Sequence, residues 1–131
     1  MPRLQPAQAC VEFALAGTIF LLVTMGMFDV ARAYLAYTVV ASCAREAARS
    51  GAAHFGQSGW DTNARQAGYS LAVGIDTSAI TITVSQQAID SALQPYVQAD
   101  VTYAFHSVVP LVGSLLGDPI RLNASAVVLA G

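Results

Sequence analysis

Residues 13–28 read FALAGTIFLLVTMGMF, a run of sixteen positions without a charged side chain. As a helix with ~1.5 Å of rise per residue, the run spans roughly 24 Å, which is short of the ~30 Å hydrocarbon core of a bilayer. Extending the helix back to Ala7 gives about 22 residues and ~33 Å, which is long enough to cross. This stretch therefore predicts a membrane-inserting helix that includes one acidic residue, Glu12.

The composition of the whole chain also indicates a membrane contact. Hydrophobic residues make up 55% of the 131 positions and charged residues 11%, whereas an ordinary soluble domain has ~25% charged residues. Such a composition excludes intrinsic disorder, which needs low hydrophobicity and high charge. The net charge is −2, and the six basic residues are arginines that form no basic tract, so we expect no nucleic-acid partner.

The helical pattern continues beyond the apolar run. No proline occurs between Pro6 and Pro95, and small and apolar residues keep helical spacing, so we predict one helix from about Ala7 to Ala53, roughly 70 Å long. At the end of the apolar run, Asp29 and Arg32 stand three residues apart and can pair on one helix face. Beyond them lies a stripe that we expect to pack against a sheet: Tyr34, Tyr37, Ala41, Ala44 and Ala48.

The remainder of the sequence predicts an α+β head. Residues 58–61, SGWD, have the form of a capping box and predict a second, shorter helix from about Trp60 to Val73. Alternation of apolar and polar residues then predicts three strands, at 80–84, 97–105 and 120–128. We expect a small antiparallel sheet of about three strands whose inner face, with Val97, Val101, Tyr103 and Phe105, packs on the second half of the long helix. An apolar loop or short helix is expected at 108–116.

Residues that could carry chemistry are few. The sequence has no glycine-rich phosphate loop and no zinc or serine-hydrolase motif, and His54 and His106 stand alone. Cys10 and Cys43 are roughly 50 Å apart on the predicted helix, so they cannot form a disulfide within the chain and are expected to be packing residues. We therefore expect no catalytic residues, no metal and no cofactor.

Several segments, in this order, resemble a known family. They are ACVEFAL at 9–15, the apolar run, FDVARAY at 28–34 and AREAAR at 44–49, followed near the C-terminus by a strand, VPLVGSLL at 109–116 and a last alternating strand. Together they resemble the TadE-like pilin and pseudopilin family of tight-adherence (Tad) pilus systems, which are relatives of type IV pilins. The resemblance covers roughly residues 7–53 and 97–129.

The resemblance implies how the chain is processed and divided. A prepilin peptidase would remove residues 1–7 by cutting between Ala7 and Gln8, which leaves Glu12 as the fifth residue of the mature chain. Residues 8–53 would form the long helix, with a transmembrane or filament-core portion at 8–30, and residues 54–131 the head packed on 31–53.

The resemblance also implies how the subunits assemble. In such assemblies the glutamate meets the free amino terminus of a neighbouring subunit, which would give the carboxylate of Glu12 a partner. Phe13 is expected to take part in assembly with it. For Asp29 and Arg32 two interpretations stay open: the pair marks the end of the membrane span, or its charges take part in assembly by setting the register between packed helices.

The implied function is that of a structural subunit, major or minor, of a Tad or type IV-like pilus. The single arginine before the span, Arg3, favours a cytoplasmic N-terminus and a head outside the bacterial inner membrane. The implied partners are other pilin-like subunits, the prepilin peptidase, the inner-membrane assembly machinery and membrane lipid. After assembly the subunit would lie in an extracellular pilus.

Two alternatives come from other classes of protein. A single-pass membrane protein with a periplasmic, partner-binding head would keep its N-terminus intact and never polymerise. A secreted α+β domain with a cleaved signal peptide would lose everything before about Ala31. The intact mass of the native protein separates these alternatives from a pilin-like subunit.

Overall fold

The computed structural model describes residues 5–87 and 95–130. Helix α1 occupies Gln5–Ala53, 49 residues, or roughly 73 Å. This confirms the single long helix predicted from about Ala7 to Ala53. Residues 1–4 of the predicted leader lie outside the described residues, as do residues 88–94 and 131 of the predicted head.

Three strands form one antiparallel sheet in the order β1-β2-β3. Strand β1 is Ile80–Gln87, β2 is Tyr96–Phe105 and β3 is Ile120–Leu129. Along the central strand β2, every second residue is buried, because period-2 alternation directs one set of side chains to the core face. The predicted α+β class, with its three strands, is confirmed.

Two shorter helices complete the fold: α2 at Trp60–Ser70 and α3 at Pro110–Leu116. The predicted capping box before α2 is wrong, because Gly59 is the N-cap in a left-handed conformation (φ 76°) and no side chain caps the helix. Asp61, the acidic residue of the predicted box, instead forms an ion pair with Arg65. The helix also ends at Ser70, earlier than predicted.

The core lies where the second half of α1 meets the sheet. Helix α1 packs on β2 and β3, and α2 lies beside α1 and contacts β1. The two helices approach closely at Gly68, where an added Cβ would stand 3.1 Å from the Ala47 Cβ and 2.8 Å from the Ile82 Cδ1. A glycine at this position lets α2 lie against both α1 and the sheet.

The stripe of α1 that packs on the sheet differs from the predicted one. Ala44 and Ala48 are buried as expected and Ala41 is half-buried, but Tyr34 is 67% exposed and Tyr37 46% exposed. At 3.6 residues per turn, Tyr34 lies roughly 120° around the helix from the fully buried Val40, and Tyr37 roughly 60°. The buried face of this segment is made instead by Ala36, Val40, Cys43, Ala44, Ala47 and Ala48. Because most of these side chains are small, the sheet can approach the helix closely.

Candidate functional site: the exposed half of α1 and the Asp29 clasp

The first half of α1 exposes apolar side chains on all sides. Phe13 is 81% exposed, Phe20 69% and Phe28 68%, and the most apolar 18-residue window of α1 has a mean hydropathy of 1.9 with none of it buried in the chain. Thr18 and Thr24 donate their hydroxyls to the helix's own carbonyl oxygens at 2.8 Å, which satisfies these donors internally. By length and composition this helix suits a membrane anchor.

Glu12 and Phe13 lie next to each other near the start of this exposed half. Both side chains are exposed, and among the described residues no side chain pairs with Glu12. A carboxylate placed within an apolar span is costly without a partner. Glu12 is therefore free to accept a partner that the described residues do not supply, and Phe13 offers an apolar contact beside it.

Asp29 is the one buried charged residue among those the structure describes, with 4% of its surface exposed. It lies on the same face of α1 as Val40, roughly three turns nearer the N-terminus. Its Oδ2 accepts hydrogen bonds from Ser107 Oγ at 2.7 Å, Val108 N at 3.0 Å and Val109 N at 2.8 Å. We call this arrangement the Asp29 clasp: the carboxylate of Asp29 on α1 and residues 107–109 of the head.

Arg32 joins the clasp to the end of the sheet. Its Nη1 lies 3.2 Å from the Asp29 Oδ1, which confirms the pair predicted from the spacing of three residues. The guanidinium also stands over the ring of Phe105, the last residue of β2, 5.4 Å from its centroid, a cation–π geometry. The arginine side chain is 52% exposed, so its charge still faces the surroundings of the protein.

In the structure, Asp29 pairs with Arg32 and accepts hydrogen bonds from the head, and the predicted part of both residues in assembly stays a prediction. The sequence predicts no contact between residues 107–109 and α1, because the contact joins positions about 80 residues apart and no local pattern records it. The clasp fixes the point where the chain leaves β2 and enters α3, whose first helical residue, Pro110, follows the N-cap Val109. The head is thus attached to α1 at the level where the apolar run ends.

Helix α3 and α1 form the walls of an open apolar groove of about 720 Å³ next to the clasp. Val112 and Leu116 line one wall, and the opposite wall is α1 from Val23 to Tyr34. The groove continues the exposed apolar surface of α1 onto the head. We refer to it as the exit groove.

The described surroundings of the histidines and cysteines give no indication of catalysis or metal binding. His106 Nδ1 lies 3.0 Å from Asp118 Oδ1, and His54 Nδ1, just after α1, lies 3.0 Å from the backbone carbonyl oxygen of Ser50 in the last turn of α1. Cys43 is fully buried in the core, as predicted for a packing residue, whereas Cys10 is exposed. Within residues 5–87 and 95–130, no group of three or more His, Cys, Asp or Glu is placed to hold a metal ion.

One comparison with known proteins identifies a relationship. Residues 7–49 match the protein family described as TadE-like protein. The matched range includes the exposed half of α1, Glu12 and the α1 side of the Asp29 clasp, and it confirms the resemblance found in the N-terminal segments. No curated protein and no solved structure gives a significant match to the chain.

Proposed function

From the TadE-like sequence of residues 7–49, we propose that the protein is a non-enzymatic, pilin-like structural subunit of a Tad or type IV-like pilus. It is held in the bacterial inner membrane by the first half of α1, with its N-terminus cytoplasmic and its head outside. Assembly then transfers this half of α1 into the core of an extracellular filament.

One observation carries the proposal: the first half of α1 is apolar on all sides and the described chain leaves it uncovered. Such a surface needs lipid around it, or the equivalent helices of other subunits. A head folded on the second half of the same helix leaves the first half available for either environment. The protein can therefore exchange lipid for other subunits without unfolding its head.

Processing by a prepilin peptidase supplies the second part of the proposal. Cutting between Ala7 and Gln8 gives a mature chain with a free amino terminus and with Glu12 as its fifth residue. The Glu12 carboxylate of one subunit then pairs with the amino terminus of a neighbour inside the apolar filament core. A subunit out of register would leave both charges unpaired, so the pair also sets the axial position of each subunit.

The clasp disfavours the secreted, signal-peptide alternative. Removal of everything before about Ala31 would remove Asp29, and the amides of Val108 and Val109 would lose the acceptor that they bond. Unpaired amides at a partly buried site destabilise a fold. The head is therefore expected to need α1 from Asp29 onward.

The proposal predicts the behaviour of Glu12→Ala. We expect this variant to insert into the membrane at least as well as the wild type, because an acid is removed from the span. Its recovery in filaments sheared from cells should fall by at least about tenfold, since the amino terminus of a neighbour would be buried without a partner, a cost above ~1.4 kcal/mol. Quantitative immunoblots of the membrane and sheared fractions measure both effects.

Thr18→Ala is the matched control, because the Thr18 hydroxyl is bonded within its own helix and its removal leaves no charge unpaired. This variant should enter filaments like the wild type. Equal recovery of Glu12→Ala and Thr18→Ala in the filament fraction would remove Glu12 from the assembly mechanism. Absence of the wild type and of both variants from the filament fraction would instead favour a single-pass membrane protein that does not polymerise.

A further inference from the structure

The segment from Ser107 to Gly117 combines several exposed apolar side chains with an absence of charge. Its sequence, SVVPLVGSLLG, contains no acidic, basic or histidine residue. Val108 is 67% exposed, Leu115 75% and Leu116 71%. Large apolar side chains clustered at the surface of a head mark an interaction site.

The position of the segment along α1 is fixed by the clasp. Val108 and Val109 donate their backbone amides to Asp29, the residue directly after the apolar run. The exit groove places Val112 and Leu116 opposite Val23 and Met27, which belong to that run. The head segment therefore extends alongside α1 on both sides of Phe28.

The position of the segment relative to the bilayer follows from its position along α1. If the span from Ala7 to Phe28, ~33 Å, fills the hydrocarbon core, then Val23 lies ~8 Å below its upper edge and Tyr34 lies ~9 Å above it. The groove between them crosses the boundary between hydrocarbon and headgroups. In the anchored subunit, lipid already surrounds the α1 wall of the groove, so the same lipid reaches the α3 wall.

Polar and aromatic residues of α1 lie near the segment on the side away from the membrane centre. Arg32 is half exposed one turn beyond Phe28, and Tyr34 and Tyr37 are exposed on the next turns. Arginine and tyrosine at this height suit the headgroup layer, where aromatic residues form belts in membrane proteins. His106 and Asp118, which are bonded to each other, bound the segment on the head side.

From this placement we propose that residues 107–116 form a second membrane contact, in which Val108, Leu115 and Leu116 enter the interface of the bilayer that holds α1 and acyl chains fill the exit groove. The inference rests on the membrane-anchored state of the proposed function. The head then lies against the membrane surface, and extraction of a subunit must release this contact together with the helix.

Tryptophan scanning in full-length protein tests the contact. Each probe is placed in a Trp60→Phe background, and the protein is reconstituted at high dilution in phosphatidylcholine bilayers that carry bromine near the glycerol end or near the methyl end of the chains. Leu115→Trp, Leu116→Trp and Val108→Trp report on the segment. Ile19→Trp reports on the middle of the span, and Val127→Trp, 57% exposed on β3, is the matched control on the head.

We expect the three segment probes to lose most of their emission with the shallow bromines and less with the deep ones. Ile19→Trp should show the opposite order, and Val127→Trp should keep its emission in both bilayers. Melting curves that match the parent protein establish that each probe leaves the fold intact. Using three probes keeps the test decisive if one of them disturbs α3.

Two results would overturn the inference. Segment probes as little quenched as Val127→Trp would place the segment in water. Blue-shifted, unquenched emission that depends on the ratio of protein to lipid would show that a second copy covers the groove. Loss of quenching at Ile19→Trp as well would instead refute membrane anchoring, and with it the proposed function.

Discussion

Replacing Asp29 by alanine is expected to release residues 106–117 from α1. The substitution removes the acceptor that the described residues give to the amides of Val108 and Val109, and it leaves the Ser107 hydroxyl with its 3.0 Å contact to the Val109 carbonyl oxygen alone. A buried donor without an acceptor costs more free energy than a hydrogen bond contributes when it is made. Hydrogen–deuterium exchange of full-length protein in detergent should show residues 106–117 exchanging nearly as fast as an unfolded peptide.

Two variants make the result specific to the clasp. Asp29→Asn keeps one oxygen acceptor and should retain part of the protection. Asp61→Ala breaks an ion pair of similar chemistry on the exposed surface of α2, where such pairs contribute little, and should leave exchange at 106–117 unchanged. Wild-type protection of this segment in Asp29→Ala would show that the clasp does not hold the head segment in place.

Placing arginine at Ala44 is expected to unfold the head. Ala44 is 1% exposed in the centre of the contact between α1 and the sheet, so the guanidinium would be buried without a partner or would force the sheet away from the helix. Either outcome costs about 4 kcal/mol or more, a large share of the stability of a small domain. The melting temperature should fall by about 15 °C or more, or the transition should be lost.

The matched control is Ala53→Arg, the same substitution at the exposed last residue of α1. A positive charge at a helix C-terminus is mildly favourable, so this variant should melt at or slightly above the wild-type temperature. Near-ultraviolet circular dichroism of both proteins in the same detergent gives the comparison. Equal melting of Ala44→Arg and wild type would mean that α1 does not cover the sheet.

The helices and strands can be predicted from the sequence because each produces a pattern of apolar and polar residues among neighbouring positions. A charge-free run followed by helical spacing predicts α1, and alternation predicts the positions of β1, β2 and β3 to within three residues at each end. The pair between Asp29 and Arg32 follows from their spacing on one helix. These features require no knowledge of how distant parts of the chain meet.

The features that the sequence misses depend on contacts between distant segments. The stripe of Tyr34 and Tyr37 is predicted to pack on the sheet, yet the buried face of α1 lies around Val40. Which side of α1 faces the sheet depends on how the sheet packs against the helix, and helical spacing alone does not determine it. The sequence also gives no indication that the Asp29 carboxylate accepts hydrogen bonds from amides about 80 positions away, and a part of Asp29 in assembly stays a prediction. A carboxylate next to an apolar run predicts that a partner exists, but the pattern leaves the partner's identity open.

The clasp gives Asp29 a role that differs from that of Glu12. Both carboxylates belong to α1, and both lie in or beside its apolar run. Asp29 has four donors within the chain, whereas Glu12 has none among the described residues. The first therefore holds residues 107–109 at α1, and for the second we propose a contact with a neighbouring subunit.

The central claim is that the chain is processed and then built into a filament. Intact-mass analysis of the protein recovered from sheared surface filaments tests both parts in one measurement. We expect a chain that begins at Gln8, lacks residues 1–7 and is recovered with the filament fraction. A chain that keeps Met1 and is found only in the membrane fraction of cells that make filaments would contradict it.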